Sequence, residues 1–162
     1  MNNKKKLSPE NALSRAAMLC SRCEQAEFDI RNKLKTWGVD KFHTEEIINR
    51  LIDEKYLDNQ RYAKAFARDK FRFDGWGMIK IAFNLRRKEF PQHVIDLALE
   101  QIDAEEYEQM LYRILNQKLH SLKGKEPLLI KAALVRFAAS RGFEPDLIYR
   151  MISKLPCPDN DY

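Results

Sequence analysis

The chain has 162 residues, 29 Lys and Arg against 24 Asp and Glu, a net charge of +5 and a hydrophobic share of 44%. That share is enough for a core and excludes disorder of the whole chain, while five Gly and six Pro are too few for an all-β protein of many tight turns. No apolar run approaches the roughly 18 residues of a membrane span, Met1 to Lys6 lacks the apolar stretch of a secretory signal, and three Cys make no disulfide framework. A soluble, mildly basic, helical protein of the cell interior is expected.

Ser8 ahead of Pro9 opens a first helix over 9–22, with Leu13, Ala16, Ala17 and Cys20 at i, i+3, i+4 and i+7. A second helix, 25–37, stops at Gly38. Thr44 before Glu45 and Glu46 starts a third, 44–55, striped by Ile47, Ile48, Leu51 and Ile52. Asp58 caps a fourth, 58–73. After Asp74-Gly75-Trp76-Gly77 comes a fifth, 77–89, with Met78, Ile81, Ala82 and Leu85 on one face. Pro91, Pro127 and Pro145 read as first-turn residues of helices at 92–102, 126–141 and 145–154. Asp103, three residues before Glu106, opens a helix over 104–122 that ends at Gly124, and Gly142 ends the next. Residues 1–7 and 156–162 read as loose tails.

Nine helices divide into three threes. The last helix of each group carries the same pattern: Ile47-Ile48-x-x-Leu51-Ile52, Val94-Ile95-x-x-Ala98-Leu99 and Leu147-Ile148-x-x-Met151-Ile152. The middle helices also align, with Ile30, Leu34 and Gly38-Val39 against Ile81, Leu85 and Glu89-Phe90, and against Leu134, Ala138 and Gly142-Phe143. A repeat of about 50 residues follows, with units at 8–57, 58–102 and 103–155. From Gly38 to the next apolar pair is longer by four than in the other units, which predicts a longer loop there. Each unit has little apolar surface, so stacking is expected to complete the core.

Charge is uneven. Residues 58–91 hold nine basic and four acidic groups, net +5, whereas residues 92–123 are net −3. Arg61, Lys64 and Arg68 share one face of the fourth helix, followed by Lys70 and Arg72, while Lys80, Arg86, Arg87 and Lys88 lie on the fifth. Phe71, Phe73 and Trp76 are interleaved. Such groups suit phosphates and unpaired bases, an acidic protein surface, or simply a solvated face over a core. Trp37 and Trp76 are expected to pack at helix ends, and Asp74 to Gly77 to form a structural turn. Cys20-Ser21-Arg22-Cys23 lacks further metal ligands at suitable spacing, and Cys20 falls on an apolar stripe. No nucleophile–base set or HExxH occurs, so an enzyme is not expected.

Ala12-Leu13-x-x-Ala16-x-x-Leu19 resembles the opening of RecX regulatory proteins. The similarity is closest at Ile48-x-x-Leu51-x-x-Glu54-x-Tyr56-Leu57-Asp58-x-x-Arg61-Tyr62-Ala63, and runs on through Phe66, Gly75-Trp76-Gly77 and Ile79-x-x-x-Phe83-x-Leu85. Arg141-Gly142-Phe143 keeps it in the third unit. Glu89-Phe90 departs where the family usually has Gly and an aliphatic residue, and Phe83 stands where it often has a polar one. The resemblance implies an all-α, elongated and curved array of three tandem three-helix units. It also implies a cytoplasmic modulator, most often an inhibitor, of the RecA recombinase, acting on the RecA filament on single-stranded DNA and limiting its growth, ATP hydrolysis and strand exchange. Arg61, Lys64, Arg68, Arg72, Lys80, Arg86 and Arg87 are the expected contacts, to recombinase or to DNA phosphates. A monomer with no cofactor, no metal and no membrane partner is expected. The rival reading is a helical DNA-binding module that acts without the recombinase.

Overall fold

The computed structural model describes residues 6–156, which form nine helices and no strand. They are α1 (Pro9–Arg22), α2 (Glu27–Thr36), α3 (Lys41–Asp53), α4 (Asn59–Arg72), α5 (Met78–Arg87), α6 (Gln92–Glu100), α7 (Ala104–Ser121), α8 (Pro127–Ser140) and α9 (Pro145–Ile152). Capping sets several starts. Ser8, Asp58 and Asp103 accept from the backbone N–H of Asn11 at 3.3 Å, Arg61 at 2.9 Å and Glu106 at 2.9 Å. Pro127 and Pro145 occupy first-turn positions, whereas Pro91 is the N-cap of α6.

One start differs from expectation. Asp40, not Thr44, caps α3, accepting from His43 N–H at 3.0 Å. The helix therefore begins three residues after Gly38, as α6 does after Glu89 and α9 after Gly142. The four extra residues of the first unit lengthen its last helix, to 13 residues against 9 and 8, and leave the loop unchanged. Of the expected tails, Leu7 is tied down: its N–H donates to Trp37 O at 3.0 Å and its side chain packs on the first unit's core. The remainder, apart from Lys6 and Pro156, lies outside the described residues.

The closest helix packing is within triplets: α1 to α3, α4 to α6, and α7 to α9. The middle helix of each ends in the same turn. Gly38, Glu89 and Gly142 are all left-handed, at φ of 79°, 62° and 89°. The residue after each donates its N–H five positions back: Val39 to Leu34, Phe90 to Leu85 and Phe143 to Ala138, at 3.0 to 3.2 Å. These are Schellman-type closures, which glycine adopts without strain and glutamate does not.

The two joints between units differ. At the second, Gly77 N–H donates to Arg141 O at 2.7 Å and Ile79 N–H to Gly142 O at 3.0 Å. A Cβ on Gly77 would lie 2.2 Å from Gly142 O, and one on Gly142 would lie 2.3 Å from Lys80 Cβ. Tyr107 OH donates to Glu144 at 2.7 Å and accepts from Met78 N–H at 2.9 Å. Burial pushes this phenol far above its ordinary pKa, so it remains a donor. One apolar cluster runs unbroken through α4 to α9.

At the first joint the equivalent positions are Ala26 and Glu89, so both backbones carry a Cβ. Among the described residues no backbone hydrogen bond crosses it. Side chains bridge instead: Lys88 donates to Asp29 at 2.5 Å, Asn59 to Glu27 at 3.4 Å, and Arg61 to Glu24. A cavity of about 90 Å³ remains between Glu27, Arg31, Asn59, Lys88 and Glu89. Ala26 inserts into the second unit's core, yet the rest of the first unit forms a separate apolar cluster. Stacking thus completes the core of the second and third units, while the first is largely self-contained.

Two substitutions test this account. Glu89→Gly is expected to raise stability by about 1 kcal/mol by relieving the left-handed strain. Gly142→Ala is expected to lower it by roughly 2–4 kcal/mol, through that strain plus overlap with Lys80. Urea midpoints at unchanged m-value report both.

Candidate nucleic-acid and filament interface

The seven basic residues singled out from sequence fall on two faces of the second unit. Arg61, Lys64, Arg68 and Arg72 recur along the outer side of α4. At 100° per residue, Tyr62, Phe66 and Lys70 occupy the other side of that helix, which faces α5. Lys80, Arg86 and Arg87 lie on α5.

The arginines on α4 have acidic neighbours. Arg61 pairs with Glu24 of the α1–α2 loop, and its Nη2 donates to Lys55 O at 3.1 Å. It therefore fastens the first joint, and the Glu24 carboxylate raises its pKa further. Arg68 lies 3.1 Å from Asp69, and Arg72 is 3.8 Å from Glu106 of α7. Lys64 is exposed, and its carbonyl accepts from Gln101 at 2.6 Å. The cations of α5 differ: among the described residues, no carboxylate lies within 4.0 Å of Lys80, Arg86 or Arg87. Helix α5 itself contains no acidic residue. Arg86 donates to Gln92 at 3.2 Å, and the Arg87 guanidinium lies 5.9 Å from the Phe83 ring centre.

A seam joins α4 to this face. Trp76 packs against the core with Phe66 edge-on at 6.3 Å, and two ammonium groups approach its ring, Lys70 at 4.8 Å and Lys80 at 4.5 Å. Lys70 is also held by Asp74 at 2.8 Å. Trp37 lies at the end of α2 with Arg15 at 4.8 Å. Both tryptophans thus sit at helix ends, as expected. Of the interleaved phenylalanines, Phe71 is buried in the core and Phe73 is 82% exposed. The sequence reading passed over Lys70 as a contact and gave Phe83 no role, although Phe83 is spaced i, i+4 from Ile79 and from Arg87, on the outward side of α5.

Among the described residues, no group of three His, Cys, Asp or Glu is placed to hold a metal ion. Cys20 and Cys23 are unbonded thiols, and burial pushes the Cys20 thiol up, away from thiolate reactivity. No helix among these residues is long and apolar enough to cross a membrane.

Comparison with known proteins bears on the same residues. Residues 58–99 match the family model for the second three-helix domain of RecX, and residues 105–152 match that for the third. Together they span more than half of the chain. A regulatory protein RecX of Chlorobium limicola is 28% identical over 148 residues, covering 91% of each chain. One from Vibrio campbellii is 28% identical over 138 residues, covering 85% of this chain and 87% of the relative. In fold, the chain is similar to RecX from Lactobacillus salivarius, with a TM-score of 0.82 at 18% identity over 91% of this chain and 96% of that one. A second RecX crystal structure gives a TM-score of 0.82 at 23% identity, over 90% of this chain and 71% of that one.

The two kinds of cation separate in a stability measurement. Arg61→Gln is expected to cost about 1–2 kcal/mol, because it removes the partner of Glu24, whose other oxygen is already buried without one. Arg86→Gln and Arg87→Gln are expected to stay within about 0.5 kcal/mol of the parent in the same urea titration.

Proposed function

This chain belongs to the RecX family of regulatory proteins, and on that basis we propose that it modulates the RecA recombinase by binding the filament RecA forms on single-stranded DNA. Its effect is inhibitory: it limits filament growth, ATP hydrolysis and strand exchange, in the cytoplasm, as a monomer, with no cofactor and no catalytic chemistry of its own. The observation that carries this reading is the set of cations on α5 that no carboxylate of the described residues neutralises, in the most basic stretch of the chain.

Ion pairs within a surface satisfy a charge locally, whereas Lys80, Arg86 and Arg87 keep theirs for a polyanion or an acidic protein face. The α4 cations contribute from the adjoining side, Lys64, Arg68 and Arg72 at an exposed edge and Arg61 chiefly by holding the first joint. A filament repeats its surface, and an extended array of repeats presents several contacts to it at once. Linked contacts on one body raise net binding well above that of each alone. Substoichiometric action follows if one bound molecule blocks further growth.

The test is RecA ATP hydrolysis on single-stranded DNA with this protein added below stoichiometry. Inhibition is expected, and the Arg86→Glu, Arg87→Glu double variant should need roughly tenfold more protein for the same effect, equivalent to about 1.4 kcal/mol. The Arg68→Glu, Arg72→Glu pair should be weakened less. No inhibition, together with tight and salt-sensitive binding to naked DNA, would instead establish a DNA-binding module that acts without the recombinase.

A further inference from the structure

Helix α5 buries Ile81, Ala82 and Leu85, packs Met78 against the core, and turns Ile79, Phe83, Arg86 and Arg87 outward. At 100° per residue, positions 79, 83, 86 and 87 fall within an arc of about 100°. Ile79 is 50% exposed and Phe83 56% exposed, with Arg86 and Arg87 exposed beside them. Neither Ile79 nor Phe83 belongs to either apolar core. The Arg87 guanidinium stands by the Phe83 ring at 5.9 Å, and Lys80 joins this face to Trp76 at 4.5 Å.

The internal repeat supplies a control for this patch. The turn residues Gly38, Glu89 and Gly142 set the register, so Phe83 corresponds to Asn32 and Arg136. The pair Arg86-Arg87 corresponds to Lys35-Thr36 and Ala139-Ser140. The three units share one fold, so the fold does not require an aromatic ring flanked by two arginines at this place. Only the middle unit has it.

Phosphate binding needs cations and no ring, and a duplex keeps its base faces stacked inside. A single strand offers an anionic backbone and unpaired π-faces together, and this face is complementary to both. We propose that Phe83 is a stacking platform for unpaired bases, with Ile79 extending its apolar surface and Arg86 and Arg87 taking the neighbouring phosphates, so that α5 contacts single-stranded nucleic acid directly. The proposal deepens the filament reading and rests on it for the presence of the strand. Stacking is tolerant of sequence, so this contact distinguishes unpaired from paired strands and not one base from another.

Fluorescence anisotropy with three labelled probes of equal length tests it: oligothymidine, the same strand with every base removed, and a duplex. The wild-type chain is expected to bind oligothymidine roughly 5- to 100-fold more tightly than the abasic strand. Phe83→Ala should bring oligothymidine affinity down to that of the abasic strand, and Phe83→Trp should keep the preference and show quenching of the new indole. Arg86→Glu should weaken both strands. Equal wild-type affinity for the two strands, or a preference that survives Phe83→Ala, overturns the platform. Binding to neither strand while RecA hydrolysis is still inhibited also overturns it, and assigns α5 to an acidic protein surface. RecA hydrolysis measured on the same preparations keeps the two readings apart. Inhibition without a base preference sinks the platform alone, and a Phe83-dependent preference without inhibition sinks the filament reading alone.

Discussion

Gly77 and Gly142 meet backbone to backbone because neither carries a Cβ, and much of the molecule is arranged around that contact. It lets the N-terminus of α5 hydrogen-bond to the α8–α9 turn, which brings Met78 N–H to the Tyr107 hydroxyl and that hydroxyl to Glu144. Phe71, Tyr107 and Phe143 then pack in series, with ring centres 5.7 and 5.0 Å apart. Six helices share one core as a result. The outward face of α5 is held between this joint at one end and the Lys88–Asp29 pair at the other, so its cations project from a supported helix.

Much of this was legible in the sequence, for local reasons. Ser8, Asp58 and Asp103 are caps wherever they precede an apolar run, and the Gly38, Glu89 and Gly142 positions could be aligned through the stripes around them. The start of α3 was misplaced because Asp40 and Thr44 are both competent caps. Only the Schellman turn at Gly38, which delivers the chain to Asp40, decides between them. The separation of Phe71 from Phe73 likewise needs the helix end at Arg72 to be known.

The candidate site was legible as a stretch but not as a surface. Helical spacing groups Arg61, Lys64 and Arg68, because that relation is intrinsic to one helix. It says nothing of Glu24, 37 positions away, which takes Arg61 into a joint. Nor does it show that Lys70 and Lys80 reach the same indole from two helices. Net charge by segment overstates the cations available to a partner, since pairing partners arrive from other units. The three units are alike in backbone and differ in what they spend that backbone on: the first on a polar joint, the second on an outward basic and aromatic face, the third on a tight seat for its neighbour.

The first joint makes the array uneven. Where Ala26 and Glu89 stand in place of two glycines, no backbone hydrogen bond crosses among the described residues, and side-chain ion pairs border a small void. Such pairs are part-exposed side-chain contacts, whereas the second joint is closed by backbone hydrogen bonds from Gly77 and Ile79. The two joints therefore differ in kind: backbone hydrogen bonds close the second, while side chains and the buried Ala26 close the first.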